Sequence, residues 1–214
     1  MLKAVIFDLD GTLTNSDRVH FQVFQAFFAK KGISLDKETY RKKISGRQNS
    51  AILADFFPDL SQEEGEVFSD KKEANFRKLA KGNLSPLPGL VALLSQLNDQ
   101  GLAAAVVTNA PPENAAFMLS ELGLTEAFNP VVIGDELPRG KPDPLPYQTA
   151  LDRLGIVASA AIAFEDSSAG IRSATGAGIK TIGMTTTHNE DELISAGAIK
   201  AIANFTDPYI QTLI

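Results

Sequence analysis

Short runs of apolar residues alternate with longer amphipathic stretches along most of the chain. The apolar runs lack the polar alternation of a strand with one solvated face, so they predict strands that are buried on both sides. A parallel sheet covered by helices on both faces produces this pattern. The predicted strands comprise residues 4–7, 103–108, 131–133, 161–165, 181–184 and 201–202.

Between these runs, amphipathic segments predict helices near residues 90–98, 113–122, 145–154 and 169–177. The alternation predicts an α/β fold in which an open, doubly wound, Rossmann-like parallel sheet forms the core. Ligands of such sheets bind at the carboxyl ends of the strands. Functional side chains are therefore expected directly after strands.

One long stretch, from Asp17 to Gly82, contains no convincing strand. A first helix is predicted to end at Gly32, a second short apolar face lies within residues 51–57, and a third helix should begin near Ser61. We expect an α/β core formed by residues 1–14 and 86–214, and a helical cap formed by residues 15–85. The first predicted helix carries its apolar side chains at helical spacing, namely Val19, Phe21, Phe24, Phe27 and Phe28.

The composition is that of an ordinary globular protein, with 214 residues of which 44% are hydrophobic. There is no cysteine, which excludes disulfides and thiolate chemistry. The first apolar run is broken by acidic residues, so no signal segment is predicted, and no run reaches the roughly 20 apolar residues of a membrane span. We expect a cytoplasmic protein without membrane contact.

The net charge of −6 argues against a nucleic-acid partner, but the charges are distributed unevenly. Residues 15–85 contain 13 basic and 10 acidic side chains, whereas the rest of the chain contains 7 and 16. A basic cap above an acidic core would help to hold an anionic substrate. The alternative is that most of these lysines only solvate helices.

Polar side chains follow four of the predicted strands or lie in the loops after them. If the sheet is parallel, four carboxylates converge on a small volume with one lysine, and their repulsion calls for a further cation. An all-oxygen site with several carboxylates suits Mg²⁺, which could in turn bind a phosphate group. In chain order the residues of this set are Asp8, Asp10, Thr108, Lys141, Glu165 and Asp166.

Each motif alone has an ordinary structural interpretation. The segment from Asp8 to Gly11 could form a turn before a helix, Gly-Lys-Pro around Lys141 could be a simple loop, and Glu165-Asp166 could cap the next helix. An EF-hand fits poorly, because its glycine occupies the sixth loop position and Gly11 is the fourth. The order of the whole set, with each member after a strand, is the specific signal.

This ordered set resembles the four motifs of the haloacid dehalogenase superfamily of aspartate-based phosphatases. The resemblance covers essentially the whole chain and is closest to the branch with a helical cap, which includes phosphoglycolate phosphatases and β-phosphoglucomutases. It implies that Asp8 is the nucleophile that forms an aspartyl-phosphate. It also implies that Asp10 is the general acid and base, with its backbone carbonyl on Mg²⁺. A group that must donate a proton is expected to have a pKa raised toward neutrality.

The remaining motifs follow from the same resemblance. Thr108 and Lys141 match the second and third motifs and would bind the phosphoryl oxygens, with Asn109 beside them. Glu165 and Asp166 match the metal-binding motif, and Asp166 is expected to be the more direct ligand. The resemblance thus implies Mg²⁺ as the cofactor.

Three residues of the predicted cap are candidates for substrate binding. His20 lies on the first cap helix near the hinge, Arg47 lies in a loop above the predicted site, and Lys72 lies in a segment resembling one that reaches the substrate. For His20 and Lys72 the alternative is an ordinary surface side chain. Their role depends on how the cap closes.

The function expected from these residues is Mg²⁺-dependent hydrolysis of a small phosphorylated metabolite, such as a sugar phosphate or phosphoglycolate. A phosphosugar mutase is the alternative, weakened by Asn49 where mutases often have an arginine nearby. A phosphoreceiver module is a third hypothesis, but such modules lack a large cap. We expect a monomer, with a dimer as the alternative, and no partner beyond the small metabolite.

Overall fold

The computed structural model describes residues 1–214 and contains a six-stranded sheet. All neighbouring strands are parallel, and their order across the sheet is β3-β2-β1-β4-β5-β6. The predicted α/β fold is therefore confirmed. The strands are β1 (Ala4–Phe7), β2 (Ala103–Thr108), β3 (Val131–Ile133), β4 (Ala161–Glu165), β5 (Lys180–Met184) and β6 (Lys200–Ile202).

The first strand, β1, lies at the centre of the sheet between β2 and β4. Its last residue, Phe7, pairs with Val106 on one side and Phe164 on the other. The residue after Phe7 therefore leaves the sheet beside the carboxyl ends of both neighbours. This register brings Asp8 next to the ends of β2 and β4.

Helices cover both faces of the sheet because successive β1 side chains point to opposite sides. Val5 and Phe7 belong to a core cluster of 25 buried residues, whereas Ile6 belongs to a second cluster of 11 on the other face. The first cluster includes α5 (Leu90–Asp99) and α6 (Pro112–Glu121). The second includes α7 (Leu145–Leu154) and α8 (Ser168–Gly176), and α9 (Glu190–Ala196) packs against α8 and β6.

Four helices lie between β1 and α5, and we refer to them together as the helical insert. They are α1 (Asp17–Lys30), α2 (Lys37–Lys43), α3 (Asn49–Phe56) and α4 (Gln62–Ala80). The insert has its own cluster of eight buried residues, dominated by aromatic rings such as Phe24 and Phe28. Its longest helix, α4, begins after Ser61, as the sequence predicts, and the structure adds a capping box between Ser61 and Glu64.

Two helices, α2 and α9, were not expected from the sequence. Each is seven residues long and buries only one side chain, Tyr40 and Leu193 respectively. Asp36 caps the first, and a capping box at Asn189 begins the second. No helix of this protein is both long enough and apolar enough to cross a lipid bilayer.

Candidate active site

Lys141 is the centre of a buried cluster at the carboxyl ends of β1, β2 and β4. Its Nζ atom lies 2.6 Å from Asp8 Oδ1 and 2.5 Å from Glu165 Oε1. It also donates a hydrogen bond of 2.7 Å to the carbonyl oxygen of Val107. The ammonium group thus has three acceptors, which compensates for its burial.

Asn109 holds the loop that carries Lys141. Its Oδ1 accepts a hydrogen bond from the Lys141 backbone N–H at 3.0 Å, and its Nδ2 donates to the Lys141 carbonyl at 3.1 Å. The same Nδ2 donates at 3.1 Å to the carbonyl of Gly46, which lies in the loop between α2 and α3 of the helical insert. The Asn109 side chain therefore connects three loops and lies at the cavity wall.

Glu165 is fully buried, and its carboxylate is surrounded by donors. Oε1 accepts from Lys141 and from the Tyr147 hydroxyl at 2.9 Å, while Oε2 faces the Ser167 hydroxyl at 3.3 Å. Tyr147 lies on α7, and the sequence did not suggest it because a tyrosine on an amphipathic helix usually only fills the core. Its position opposite Glu165 depends on the packing of α7 against the sheet.

Three acidic side chains form a group that fits a divalent metal ion. Oxygen atoms of Asp8, Glu165 and Asp166 all lie within 4.8 Å of one another, and all three residues are buried. Burial and the neighbouring carboxylates Asp8 and Glu165 raise the pKa of Asp166 well above its usual value. One lysine cannot neutralise three carboxylates, so the donor set suits a hard cation such as Mg²⁺.

The position of Asp8 raises the free energy of its charged form. Burial raises the pKa of Asp8 to about 8, although the charge and hydrogen bond of Lys141 oppose this shift. The repulsion from Glu165 adds to the increase. A cation bound beside Asp8 would favour the ionised carboxylate, which is the nucleophilic form.

The side chain of Asp10 points away from this group and toward the helical insert. Its Oδ1 accepts a hydrogen bond of 2.5 Å from Ser16 Oγ and lies 2.9 Å from His20 Nε2. The His20 ring stacks on Phe76 of α4, with ring centroids 4.0 Å apart. His20 is therefore held between the core and the insert and is not an ordinary surface histidine.

The expectation of a raised pKa at Asp10 is wrong for this arrangement. Burial raises the pKa of this carboxyl, but the charge and hydrogen bond of His20 and the hydrogen bond of Ser16 outweigh burial, so the pKa is lowered. The sequence did not reveal this result because Ser16 and His20 reach Asp10 only through the start of α1. In this geometry Asp10 is an ionised base.

Thr108 ends β2 with its side chain at the cavity wall. Its Oγ1 accepts a hydrogen bond from the Ala110 N–H at 3.0 Å, which leaves the hydroxyl proton free to be donated. Thr108 is 1% exposed. It thus has the position expected for a ligand of a phosphoryl oxygen near Asp8.

The two other candidate residues of the insert, Arg47 and Lys72, also line the cavity. Arg47 is already paired with Asp55 at 2.7 Å and donates to the carbonyls of Lys43 and Ala51. Lys72 is buried and is therefore not a surface lysine; its Nζ lies 2.7 Å from Glu73 Oε1.

Core and insert together enclose a cavity of about 90 Å³ directly above Asp8. Gly46 approaches the core so closely that a Cβ atom there would lie 2.7 Å from Ser167 Oγ. All of the predicted site residues except Glu165 line this cavity. Glu165 lies behind it, where it contacts Lys141.

Comparison with known protein families identifies the type of enzyme. Residues 5–184 match the family model described as haloacid dehalogenase-like hydrolase. The chain belongs to this family. It is therefore an enzyme, a hydrolase of the haloacid dehalogenase type, as the sequence motifs predict.

Named relatives of this hydrolase are phosphatases. It is 32% identical to validoxylamine A 7'-phosphate phosphatase of Streptomyces hygroscopicus subsp. limoneus, with 93% of each chain covered. It is 31% identical to phosphoglycolate phosphatase of Rhodospirillum rubrum, with 96% of this chain and 88% of the relative covered. By their names, these two relatives act on different phosphorylated compounds.

Among solved structures, this hydrolase is similar to CbbY of Rhodobacter sphaeroides in complex with xylulose-(1,5)bisphosphate. The TM-score is 0.84 at 28% identity, and the match covers 97% of this chain and 96% of CbbY. The similarity extends over both the sheet and the helical insert. The relatives thus include one that binds a bisphosphate.

Proposed function

We propose that this hydrolase is a Mg²⁺-dependent phosphatase of a small phosphorylated metabolite. The observation that carries the proposal is the carboxylate of Asp8, which lines the cavity and lies 2.6 Å from Lys141 Nζ. The named phosphatase relatives support the same reaction class. A cytoplasmic location and a monomeric state stay predictions from the sequence.

In the proposed reaction, a carboxylate oxygen of Asp8 attacks the phosphorus atom of the substrate. A bond forms between this oxygen and phosphorus, while the bond between phosphorus and the leaving oxygen breaks. Asp10 donates a proton to the leaving alcohol. Water then attacks phosphorus and Asp10 accepts a proton from it. The bond between phosphorus and the Asp8 oxygen breaks, which releases inorganic phosphate and regenerates the Asp8 carboxylate.

The environment of Asp10 suits the second of these steps, activation of water, better than the first, donation of a proton. The lowered pKa favours the ionised carboxylate, which is the form that activates water in the second step. Proton donation in the first step requires the contact with His20 to loosen, since that contact stabilises the ionised form. Movement of α1 would therefore couple the position of the insert to the protonation of Asp10.

The remaining site residues would stabilise the transferring group. Lys141 and the Thr108 hydroxyl would bind equatorial phosphoryl oxygens, and Asp8, Asp166 and the Asp10 carbonyl would hold the metal ion. Bound Mg²⁺ would neutralise charge on the phosphoryl group. Glu165, whose oxygens already accept hydrogen bonds, would act mainly by positioning Lys141.

We further propose that residues 15–85 act as a cap that excludes water during phosphoryl transfer. The contacts of Gly46 with Asn109 and Ser167 and the hydrogen bond from Gln48 to Gly134 at 3.2 Å support a closed position. The cap would have to open for substrate entry and product release.

The test is a screen for phosphate release over a panel of phosphate monoesters, with Mg²⁺ present and after removal of metal by EDTA. We expect release from at least one sugar phosphate, loss of activity in EDTA and recovery with Mg²⁺. The Asp8→Asn variant should retain its circular dichroism spectrum and lose turnover by at least about a thousandfold. Substantial hydrolysis by Asp8→Asn would contradict the mechanism.

A phosphosugar mutase is the second candidate, because members of the same cap branch isomerise sugar phosphates. Such an enzyme must hold a bisphosphate with one phosphate near Asp8 and the other at the opposite end of the cavity. Formation of an isomeric sugar phosphate without net phosphate release would support it. The residues at that opposite end therefore matter for the choice between the two functions.

A further inference from the structure

The cavity above Asp8 adjoins a second, larger groove of about 990 Å³. The groove lies between α3 and α4 of the insert and the beginning of α6 in the core. Four residues line both spaces: Asn49, Glu73, Pro111 and Asp135. A phosphate ester bound at Asp8 would extend toward this groove, whose volume is at the upper end of the range for small-molecule pockets.

The charges of the groove are strongly unbalanced. Its lining includes one basic side chain, Arg77, whose guanidinium is already 3.0 Å from the Glu113 carboxylate and 2.7 Å from Asn114 Oδ1. Glu113 pairs with Arg77 and Glu73 pairs with Lys72, but the groove is lined by five carboxylates in all. They belong to Glu66, Asp70, Glu73, Glu113 and Asp135.

Two basic side chains of the insert, Lys72 and Arg47, line the adjoining cavity, but they do not offset the negative charge of the groove. Lys72 pairs with Glu73 at 2.7 Å, and Arg47 pairs with Asp55 at 2.7 Å. Both cations are thus neutralised by carboxylates of the insert itself. Lys72 lines the cavity but not the groove, whereas Glu73 lines both, so a second phosphate in the groove would lie nearer to the carboxylate than to the ammonium.

Glu73 lies at the junction of the cavity and the groove and is held in one position. Its Oε1 accepts hydrogen bonds from Asn49 Nδ2 at 2.6 Å and Lys72 Nζ at 2.7 Å. Its Oε2 accepts from Asn114 Nδ2 on α6 at 2.5 Å. Glu73 is 6% exposed, so its charge is only weakly screened.

We propose that Glu73 is a specificity-determining residue that restricts the substrate to phosphate monoesters with an uncharged or cationic, polyhydroxylated distal part. Hydroxyl and ammonium groups can donate to the carboxylates of the groove, and hydroxyl oxygens can also accept from its amides and serines. A second phosphate would meet Glu73 and Asp135 as like charges, an arrangement that strongly disfavours binding. The inference rests on the proposed phosphatase function, and it disfavours the mutase, which needs a bisphosphate.

The test measures inhibition of p-nitrophenyl phosphate hydrolysis at a fixed concentration of free Mg²⁺. The inhibitors are matched pairs: xylulose 5-phosphate with xylulose 1,5-bisphosphate, and glucose 6-phosphate with glucose 1,6-bisphosphate. The readout is the ratio of the inhibition constants of the bisphosphate and the monophosphate. A general loss of activity or affinity in a variant cancels in this ratio.

For the wild type we expect the bisphosphates to bind at least about tenfold more weakly than the matched monophosphates. Glu73→Gln should reduce the ratio about tenfold, and Asp135→Asn, at an exposed position of the groove, about threefold. Asp152→Asn is the control, because it removes one carboxylate of α7 that lines neither the cavity nor the groove. It should leave the ratio unchanged.

The outcomes separate the two proposals. Absence of phosphate release by the wild type from p-nitrophenyl phosphate and from every monoester of the panel would contradict the phosphatase function itself. Hydrolysis with equal or tighter binding of the bisphosphates would overturn the role of Glu73 alone. If Glu73→Gln does not fold, the test relies on the ratio of inhibition constants measured for Asp135→Asn. The proposal is then overturned if this ratio equals that of the control, Asp152→Asn.

Discussion

This hydrolase contains two buried lysines, each paired with a glutamate, and their surroundings differ. Lys141 in the core lies 2.5 Å from Glu165, and Lys72 in the helical insert lies 2.7 Å from Glu73. The partners of Lys141 come from distant parts of the chain, with Asp8 133 residues away. Glu73 is the next residue to Lys72 on α4.

The two pairs differ mainly in charge balance. We call the part of the site around Lys141 the core end and the part around Lys72 the insert end. Lys141 lies beside three carboxylates, those of Asp8, Glu165 and Asp166. The core end therefore has excess negative charge that a metal ion can neutralise. Lys72 has one carboxylate partner, whose other hydrogen bonds come from neutral amides. The core end therefore needs a further cation, whereas at the insert end the charges of Lys72 and Glu73 balance. A buried lysine–glutamate pair thus has a different electrostatic role at each end of the site.

Among the variants that test this comparison, Lys141→Met has the largest expected effect. It leaves Asp8 and the fully buried Glu165 without their cation, which should destabilise the metal-free protein by about 3–5 kcal/mol. It also removes a phosphoryl ligand, so kcat/KM should fall by at least about a hundredfold. Urea unfolding and steady-state kinetics at saturating Mg²⁺ measure the two effects.

Lys72→Met is the matched comparison in the insert. Glu73 keeps its hydrogen bonds from Asn49 and Asn114, so the loss of stability should be smaller, about 1–3 kcal/mol. We expect a decrease in kcat/KM of about tenfold, because Lys72 lies at the cavity wall but not against Asp8. Equal losses for both lysine variants would contradict the distinction between the two ends.

Asp166→Asn tests the excess negative charge of the core end. The concentration of Mg²⁺ that gives half-maximal activity should rise at least about tenfold, since one carboxylate ligand is lost. Asp135→Asn serves as control because Asp135 lies outside the three-carboxylate group. An unchanged Mg²⁺ requirement in Asp166→Asn would argue against this residue as a metal ligand.

The raised pKa of Asp8 predicts a pH dependence of stability in the metal-free enzyme. Burial raises the pKa of Asp8 from 3.8 to about 8, so the unfolded chain releases this proton at lower pH than the folded protein. Stability should therefore fall as pH rises from about 4 to about 8. In EDTA, the Tm of the wild type should fall more over this range than that of Asp8→Asn.

The opposite result, a steeper fall for Asp8→Asn, would mean that Asp8 is stabilised as a carboxylate. Added Mg²⁺ should raise the Tm of the wild type most at the upper end of the pH range, where Asp8 is ionised. The difference between the two proteins in EDTA reports the titration of Asp8 together with its effect on Asp166, whose pKa the charge of Asp8 raises.

The sequence predicts the core end of the site better than the insert end. Asp8, Thr108 and Glu165 follow or end buried strands, and parallel pairing necessarily brings such positions together. Lys141 lies in a loop, yet the Gly-Lys-Pro motif and its place in the order of the motifs were sufficient to predict that this lysine lies near Asp8. The strands β2, β3 and β4 were predicted with the bounds that the structure shows.

The insert end depends on packing between helices, which the sequence does not reveal. Glu73 and Lys72 look like surface charges on α4 because a helix with many charges usually exposes them. Their burial follows from the approach of α3 and α6, which supply Asn49 and Asn114. Likewise, the lowered pKa of Asp10 depends on His20, ten residues away on α1.

The smallest effect expected is that of Tyr147→Phe, which removes only the hydrogen bond from the tyrosine hydroxyl to Glu165 Oε1. Glu165 keeps its contact with Lys141, so the loss of stability should be about 1.5–2 kcal/mol, at the low end of the range for a hydrogen bond to a charged group. The kcat should change by less than about threefold, because Tyr147 contacts neither the cavity nor Asp8. Urea unfolding and steady-state kinetics test both values. A loss of kcat as large as that of Lys141→Met would show that Glu165 requires both partners to hold the lysine in place.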